Sequence, residues 1–348
     1  MAVFGNLMMV FSAANLNNTI NLFGNVIGSA KYAGGVLAPN GKIYSIPSNA
    51  TEILQIDPSN NTTTLFGSFS GSAKYIGGVL APNGKIYGIP FNSTQVLEID
   101  PSNNTTTLFG NVIGSAKYAG GVLAPNGKIY CIPYDATQIL EIDPSNNTTS
   151  LFGNVIGSAK YIGGVLASNG SIYGIPSNAT QVLEIDPSNN TTTLFGSFSG
   201  SGKWYGGVLA PNGKIYCIPF NSTQILEIDP SNNTTSLFGS FSGTRKYSGA
   251  VLAPNGKIYC ITRDATEILQ IDPSNNTTTL FGTLNGSDKY IGGVLASNGS
   301  IYGIPFNSTQ ILQISNISNP NVIGTDANIP NPLSDLATSQ YNEYFNKI

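Results

Sequence analysis

Short apolar runs alternate with polar, turn-forming clusters along most of the chain, and the whole pattern recurs every 43 residues. Seven copies begin at Leu22, Leu65, Leu108, Leu151, Leu194, Leu237 and Leu280, and together they span residues 22–322. Within the second copy four short runs read as strands: A over about residues 75–81, B over 86–90, C over 95–100 and D over 105–109. Strand C alternates apolar and polar side chains, as a half-buried strand does. Between A and B stands Pro82-Asn83-Gly84-Lys85, whose Asn-Gly pair tolerates positive φ and predicts a tight hairpin turn. Between C and D stands Asp100-Pro101-Ser102-Asn103-Asn104, with proline suited to the first central position of a turn. No segment of the repeat carries helical periodicity or helix caps, which sets helical solenoids aside.

Four antiparallel strands in about 40 residues are the unit of a propeller blade. The chain therefore reads as an all-β, seven-bladed β-propeller with four-stranded antiparallel blades. One blade cannot bury both faces, so blades must stack around an axis. Val79, Ile86, Ile89, Val96, Leu97, Ile99, Leu108 and Phe109 are the expected inter-blade core of the second unit. The paired glycines Gly77 and Gly78 suit an innermost strand, where backbones crowd near the axis. Residues 9–24 align with 52–67 at the repeat spacing, while the segment after Ser315 is a poor match to strand D. Residues 18–23 are therefore expected to supply the missing strand of the last blade and close the ring, which removes two open sheet edges. The propeller domain is placed at 1–324 and a tail at 325–348. In that tail Asn331-Pro332 and the spacing of Leu333, Leu336, Ala337, Tyr341, Tyr344, Phe345 and Ile348 predict a helix over 332–347, either packed on the propeller or docking a partner. Residues 1–14 are apolar and end in small residues, as a signal peptide does, but lack its basic start, and a strand reading is preferred.

Charged residues are 9% of the chain and the net charge is −3, with no run of Lys and Arg. That argues against nucleic-acid binding, which needs clustered cations. No apolar run is long enough to span a membrane as a helix. There is no histidine, so Ser-His-Asp and Cys-His catalysis and histidine metal ligation are all absent. Cys131, Cys217 and Cys260 occupy one position in three different repeats, too far apart for a disulfide and read as small buried thiols. No metal, no cofactor and no enzymatic activity are expected.

The run Lys-[Tyr/Trp]-x-Gly-Gly-Val-Leu-Ala-Pro-Asn-Gly-Lys-Ile-Tyr-x-Ile-Pro, followed by Leu-x-Ile-Asp-Pro, resembles tandem propeller repeats of protists, some bacteria and giant viruses. Lys203-Trp204-Tyr205-Gly206-Gly207 is its Trp form. The resemblance covers residues 9 to about 315. It implies a β-propeller and no enzyme activity. There is no Trp-Asp dipeptide as in WD40 repeats, and the paired glycines follow a different strand from those of kelch repeats.

In such blades the A–B and C–D turns share one face of the disc, and the D–A and B–C loops share the other. The first face is nearly the same in every copy, whereas the D–A and B–C loops vary, so function is placed on the D–A/B–C face. Lys31, Lys74, Lys117, Lys160, Lys203, Lys246 and Lys289 each open strand A there. They are read either as a cationic ring at the channel mouth that attracts small anions, or as lysines that pair with carboxylates in the same or next blade or spread into solvent. The B–C aromatics Phe91, Tyr134, Phe220 and Phe306 stand beside Asn or Asp, as sugar-stacking residues do, and near-identical blades would offer several equivalent sites. The alternative for them is gap-filling between blades. Glu-x-x-Gln in some copies is Gln-x-x-Glu in others, so the glutamate changes face, which suits a solubilising charge better than a catalytic one. Sequons such as Asn49, Asn92, Asn178, Asn221 and Asn307 would matter only in a secretory setting. The expected role is a scaffold for protein interaction or a surface assembly. Its alternative is a multivalent carbohydrate- or small-anion-binding propeller. The partner is expected to be a protein or a second copy, or else a glycan or small anion. An extracellular, cell-surface or virion setting is favoured over the cytoplasm.

Overall fold

The computed structural model describes residues 18–317 of the protein. Its strands form seven four-stranded antiparallel sheets arranged as the blades of a propeller. In the first blade strand A is Tyr32–Leu37, B is Ile43–Pro47, C is Ile53–Asp57 and D is Thr62–Phe66, hydrogen-bonded in that order. Five more blades repeat this plan, and the seventh carries Tyr290–Leu295, Ile301–Pro305 and Ile311–Ser315. Its fourth strand is Thr19–Phe23, antiparallel to Ile311–Ser315 with Thr19 opposite Ser315 and Phe23 opposite Ile311. The ring thus closes as the 43-residue alignment predicts. Residues 1–17 and the tail, with its expected helix over 332–347, lie outside the described residues.

Strand A is innermost, since each touches the first strands of both neighbouring blades. Strand B is buried along its whole length and strand D is largely exposed. The core is a set of layers between blades: Val79, Tyr87 and Ile89 of the second blade pack on Tyr118, Ile129, Cys131 and Leu140 of the third. All three cysteines are buried and unpaired. Leu108, expected in this core, is 45% exposed on the outer rim. Leu108 stands opposite Leu97, but strand D is the edge of its sheet, so its leucine face has no blade beyond it.

The glycine pair has two distinct duties. The pairing of strands A and B slips by a bulge between Tyr75 and Gly78, and Gly77 there takes φ +81°. A Cβ on Gly77 would stand 3.0 Å from the Cα of Gly120 in the next blade, and the relation runs around the axis until Gly292 meets Gly34 at 3.1 Å. Seven bare backbones therefore touch in a ring that no side chain could enter. Gly78 instead makes room for the Ile46 side chain, whose Cδ1 would lie 2.6 Å from an added Cβ.

The A–B turn differs from a two-residue hairpin. Gly84 donates to the Ala81 carbonyl and Ala81 to the Lys85 carbonyl, and only Gly84 has positive φ. This is a three-residue loop in which proline opens a type I turn and glycine takes the left-handed position. In the C–D turn it is Asn104 that turns left-handed, at φ 58°, while Asp100 accepts from Ser102. Both turns bolt blades together. Tyr87 shares its hydroxyl with Asn147 at 3.1 Å and with the Pro144 carbonyl of the next blade, and Asn83 donates to that carbonyl. Tyr302 closes this second ring through Pro58 and Asn61.

The exchangeable Glu/Gln position also belongs here. Glu98 is only 4% exposed and accepts from Lys85 at 2.7 Å, Asn147 at 2.6 Å and Tyr87 at 3.2 Å. In the first blade Gln55 takes the same place, donating to Tyr44 and to Asn104. This member of the pair is a buried inter-blade link and not a solubilising charge. Burial pushes the Glu98 carboxyl up, but the Lys85, Asn147 and Tyr87 hydrogen bonds outweigh it and hold the group below its ordinary value.

Candidate binding face around the axial mouth

The D–A and B–C loops of adjoining blades are stitched together at every junction. The backbone N–H of each strand-A lysine donates to the carbonyl of the first B–C residue in the preceding blade: Lys74 to Ser48, Lys117 to Phe91, Lys289 to Arg263, and finally Lys31 to Phe306. The residue before each lysine has a left-handed backbone, as in Ala73 at φ 45°. That conformation is costly for a residue with a Cβ. It is held by a side chain from the blade before, as where Asn49 accepts from the Ala73 N–H at 2.7 Å. The sequon asparagines Asn49, Asn92, Asn178, Asn221 and Asn307 all serve as such bolts.

The seven lysines do not form an open cationic ring. Lys31, Lys74, Lys117, Lys160, Lys203, Lys246 and Lys289 are 2–5% exposed. Their ammonium groups point into cages of main-chain carbonyls and pair with no carboxylate. Lys74 donates to Ser48 and Ala50 at 2.8 Å and to Gly71 at 3.0 Å, and Lys160 and Lys203 make the equivalent three bonds. Lys31, Lys246 and Lys289 make two and Lys117 makes one. Burial pushes the ammonium groups of Lys31, Lys203 and Lys246 down to about 8. The reason for the departure from expectation is geometric: the lysine stem folds back under its own D–A loop, where main-chain carbonyls of two blades converge.

The four B–C aromatics are half-buried, and most of them meet other residues of this face. Phe91 packs on Tyr134 of the next blade with ring centroids 5.3 Å apart. Phe220 packs on Tyr205, the second residue of strand A in its own blade, at 5.6 Å. Arg263 fills the next position of the ring, with its guanidinium carbon 5.2 Å from the Phe220 centroid, 5.4 Å from Phe306 and 5.9 Å from Tyr205. Burial raises the Tyr205 hydroxyl, Arg263 lowers it, and Tyr134 from two blades away raises it again. The aromatics meet in two contact groups, Phe91 with Tyr134 and Tyr205 with Phe220, Arg263 and Phe306, and do not form seven separate platforms.

Next to Arg263 lies a charge cluster found at no other junction among the described residues. Its Nε donates to Asp288 at 2.5 Å, Asp288 also pairs with Arg245, and Arg245 reaches Asp264 at 3.3 Å. Burial pushes the Asp288 carboxyl up, and the two arginines more than reverse it. Tyr205, Arg245, Arg263, Asp264 and Asp288 are not among the sequence-predicted site residues. The signal available for them is departure from the repeat: Arg245 and Arg263 are the chain's only arginines. Among the described residues no three His, Cys, Asp or Glu stand together as a metal site.

Against known proteins, a family model described as a repeat of unknown function (DUF6923) matches residues 164–335. No curated protein sequence matches the chain. Solved structures share the fold at low identity. Virginiamycin B lyase from Staphylococcus aureus, determined with quinupristin, is 13% identical with a TM-score of 0.75, over 86% of this chain and 99% of that one. The WD40 β-propeller domain of Doa1 is 12% identical with a TM-score of 0.66, over 86% and 97%. The extracellular domain of a hybrid two-component system from B. thetaiotaomicron is 9% identical with a TM-score of 0.66, over 88% of this chain and 44% of that one. The expectation that the protein is no enzyme is corrected by the first of these. A lyase is built on this architecture, so the repeat fold does not exclude catalysis. Among the described residues no helix is long and apolar enough to cross a membrane.

Proposed function

We propose that the protein is a binding scaffold whose D–A/B–C face engages another macromolecule across the axial mouth. One observation carries this reading. Blades that are nearly identical elsewhere differ on this face, at the first B–C residue (Ser48, Phe91, Tyr134, Ser177, Phe220, Arg263 and Phe306) and in the D–A loops. The repeated side chains, including the lysines, are consumed in holding blades together, so they leave the face itself to the residues that vary. Aromatic side chains and arginine dominate binding hot spots, since they combine a large contact area with polar handles. Three of them in contact, Tyr205, Phe220 and Arg263, form a patch already organised by packing, which lowers the ordering cost of binding.

The test places a photoreactive phenylalanine analogue at Phe91, or at Ser102 on the opposite face, in the full chain made in its native cells. A defined adduct from position 91 and none from 102 is expected. Adducts from 102 alone, or from neither position, overturn the reading.

A further inference from the structure

The D–A loops of the same face carry a second pattern. Ile27, Ile113 and Ile156 sit in D–A loops and are 81–82% exposed, the most exposed large apolar side chains among the described residues. Each loop anchors itself with a buried valine, Val26, Val112 or Val155, one residue earlier. The other four D–A loops place Ser70, Ser199, Ser242 and Asn285 at the isoleucine position. The fold therefore does not require an apolar residue there.

The isoleucines also go with particular B–C loops. The loop of Ile113 is bonded to the Phe91 loop, that of Ile156 to the Tyr134 loop, and that of Ile27 to the Phe306 loop. The serine B–C loops, Ser48 and Ser177, are bonded to D–A loops that carry Ser70 and Ser199. Three junctions thus pair an aromatic B–C side chain with an exposed aliphatic D–A one, while the Phe220 loop is bonded to the loop of Ser242. The three isoleucines are separate protrusions on one side of a disc.

Charge is divided between the two sides of the disc. The seven caged lysines and two arginines of this face outnumber its five carboxylates, a formal surplus of four positive charges. The A–B/C–D side holds five lysines against ten carboxylates, a surplus of five negative charges. The ammonium groups lie 2–5% exposed beneath loop carbonyls, with Asp135 acting on Lys160 and Asp264 and Asp288 on Lys289, so the formal surplus sets the long-range field of this face.

We propose that the D–A/B–C face docks on an anionic phospholipid surface, inserting Ile27, Ile113 and Ile156 while the negative face points away. Protruding aliphatic tips suit a soft apolar medium that needs no matching pockets, and a cationic face adds attraction to acidic headgroups. A protein partner would instead be held by the Tyr205–Arg263 patch and would leave the isoleucines in water. This inference rests on the D–A/B–C side being the binding face.

The experiment is cosedimentation of the full chain with vesicles of phosphatidylcholine containing about one third phosphatidylserine, alongside pure phosphatidylcholine vesicles. The variant is I27S/I113S/I156S, which copies the sibling loops and keeps the fold. Binding to the acidic vesicles, at least tenfold weaker on pure phosphatidylcholine, weaker in high salt and lost in the triple variant, is expected. No binding, or equal binding by the variant, overturns the lipid assignment. If the photoreactive group at Phe91 still captures a protein in that case, the binding face stands and only the lipid occupant falls. If vesicles protect Ser102 labelling sites instead of the Phe91 loop, the face itself is misassigned. A triple variant whose only change is a lower oligomeric state identifies a second copy as the occupant and likewise overturns the lipid proposal.

Discussion

Replacing Lys74 with methionine separates a structural lysine from an anion-binding one. The variant keeps the aliphatic stem and removes the ammonium, which donates to Ser48, Ala50 and Gly71. A hydrogen bond from a charged donor contributes about 1.5–3 kcal/mol net. Three such bonds would suggest a large loss, but two corrections reduce it. Ser48 keeps the bond to its carbonyl from the Lys74 backbone, and the Gly71 residue is exposed enough for water to replace the ammonium. Removing the side-chain charge also ends the cost of burying it, which offsets part of the loss. The expected destabilisation is about 2–4 kcal/mol, a sizeable part of the roughly 5–15 kcal/mol that holds a folded domain together. Lys117 is the internal control, because its ammonium makes a single bond, to Gly114. Lys117→Met is expected to cost roughly half as much or less. Urea midpoints by circular dichroism, with titration calorimetry against sulfate, decide the matter. If K74M unfolds with the wild type and only sulfate binding is lost, the cage is not structural and the reasoning fails.

Three more outcomes rest on the inter-blade contacts. Glu98, Glu141 and Glu227 have carboxyls held below the ordinary value, by hydrogen bonds that outweigh burial, so their contribution is fully present above about pH 4.3 and lost as pH falls through the lower folded value. The triple variant E98Q/E141Q/E227Q, which copies Gln55, should therefore show a flatter acid limb in a plot of thermal midpoint against pH, and an unchanged limb counts against the network. Gly77→Ala adds a Cβ at 3.0 Å from the Gly120 Cα and at positive φ, for a cost of about 2–5 kcal/mol in urea unfolding, whereas Gly84→Ala, in open space, should lose about 1–2 kcal/mol from backbone strain alone. Equal losses at the two positions would show that the glycine ring is not close-packed. Removing residues 1–23 strips the last blade of its fourth strand and bares Ile311–Ser315, so the truncated chain should aggregate or melt well below the full chain by light scattering and calorimetry, and equal melting would contradict ring closure.

The blade plan is legible in the sequence because strand period, turn residues and spacing all act locally and repeat. Closure is legible for the same reason, as Thr19–Phe23 stands one repeat ahead of Thr62–Phe66. The duty of the lysines is not, because their acceptors are carbonyls, which every residue carries and no letter marks. The Glu/Gln exchange misleads for a related cause: either side chain completes the Tyr–Asn link, so the changing face marks the loose member of the pair and not Glu98. The gathering of Tyr205, Phe220, Arg263 and Phe306 needs blade order in space, since sequence separates Tyr205 from Phe306 by two further blades. In the sequence the D–A isoleucines are only part of a variable loop, and it is their 81–82% exposure beside buried valines that distinguishes tip from anchor.

Ile20 has a meaning beyond packing. Six of the fourth strands place threonine at its position, as at Thr63 and Thr106, and differ little from one another. Any of them could pair with a bare Ile311–Ser315 on hydrogen-bonding grounds alone. In the closing strand Ile20 reaches the layer between the sixth and seventh blades, near Leu284, Ile314 and Ile317, and lies directly over Gly282. That contact is an address. It tells the last blade which of seven near-synonymous strands is its own, and so guards a nascent ring against closing on one of the six inner blades' fourth strands.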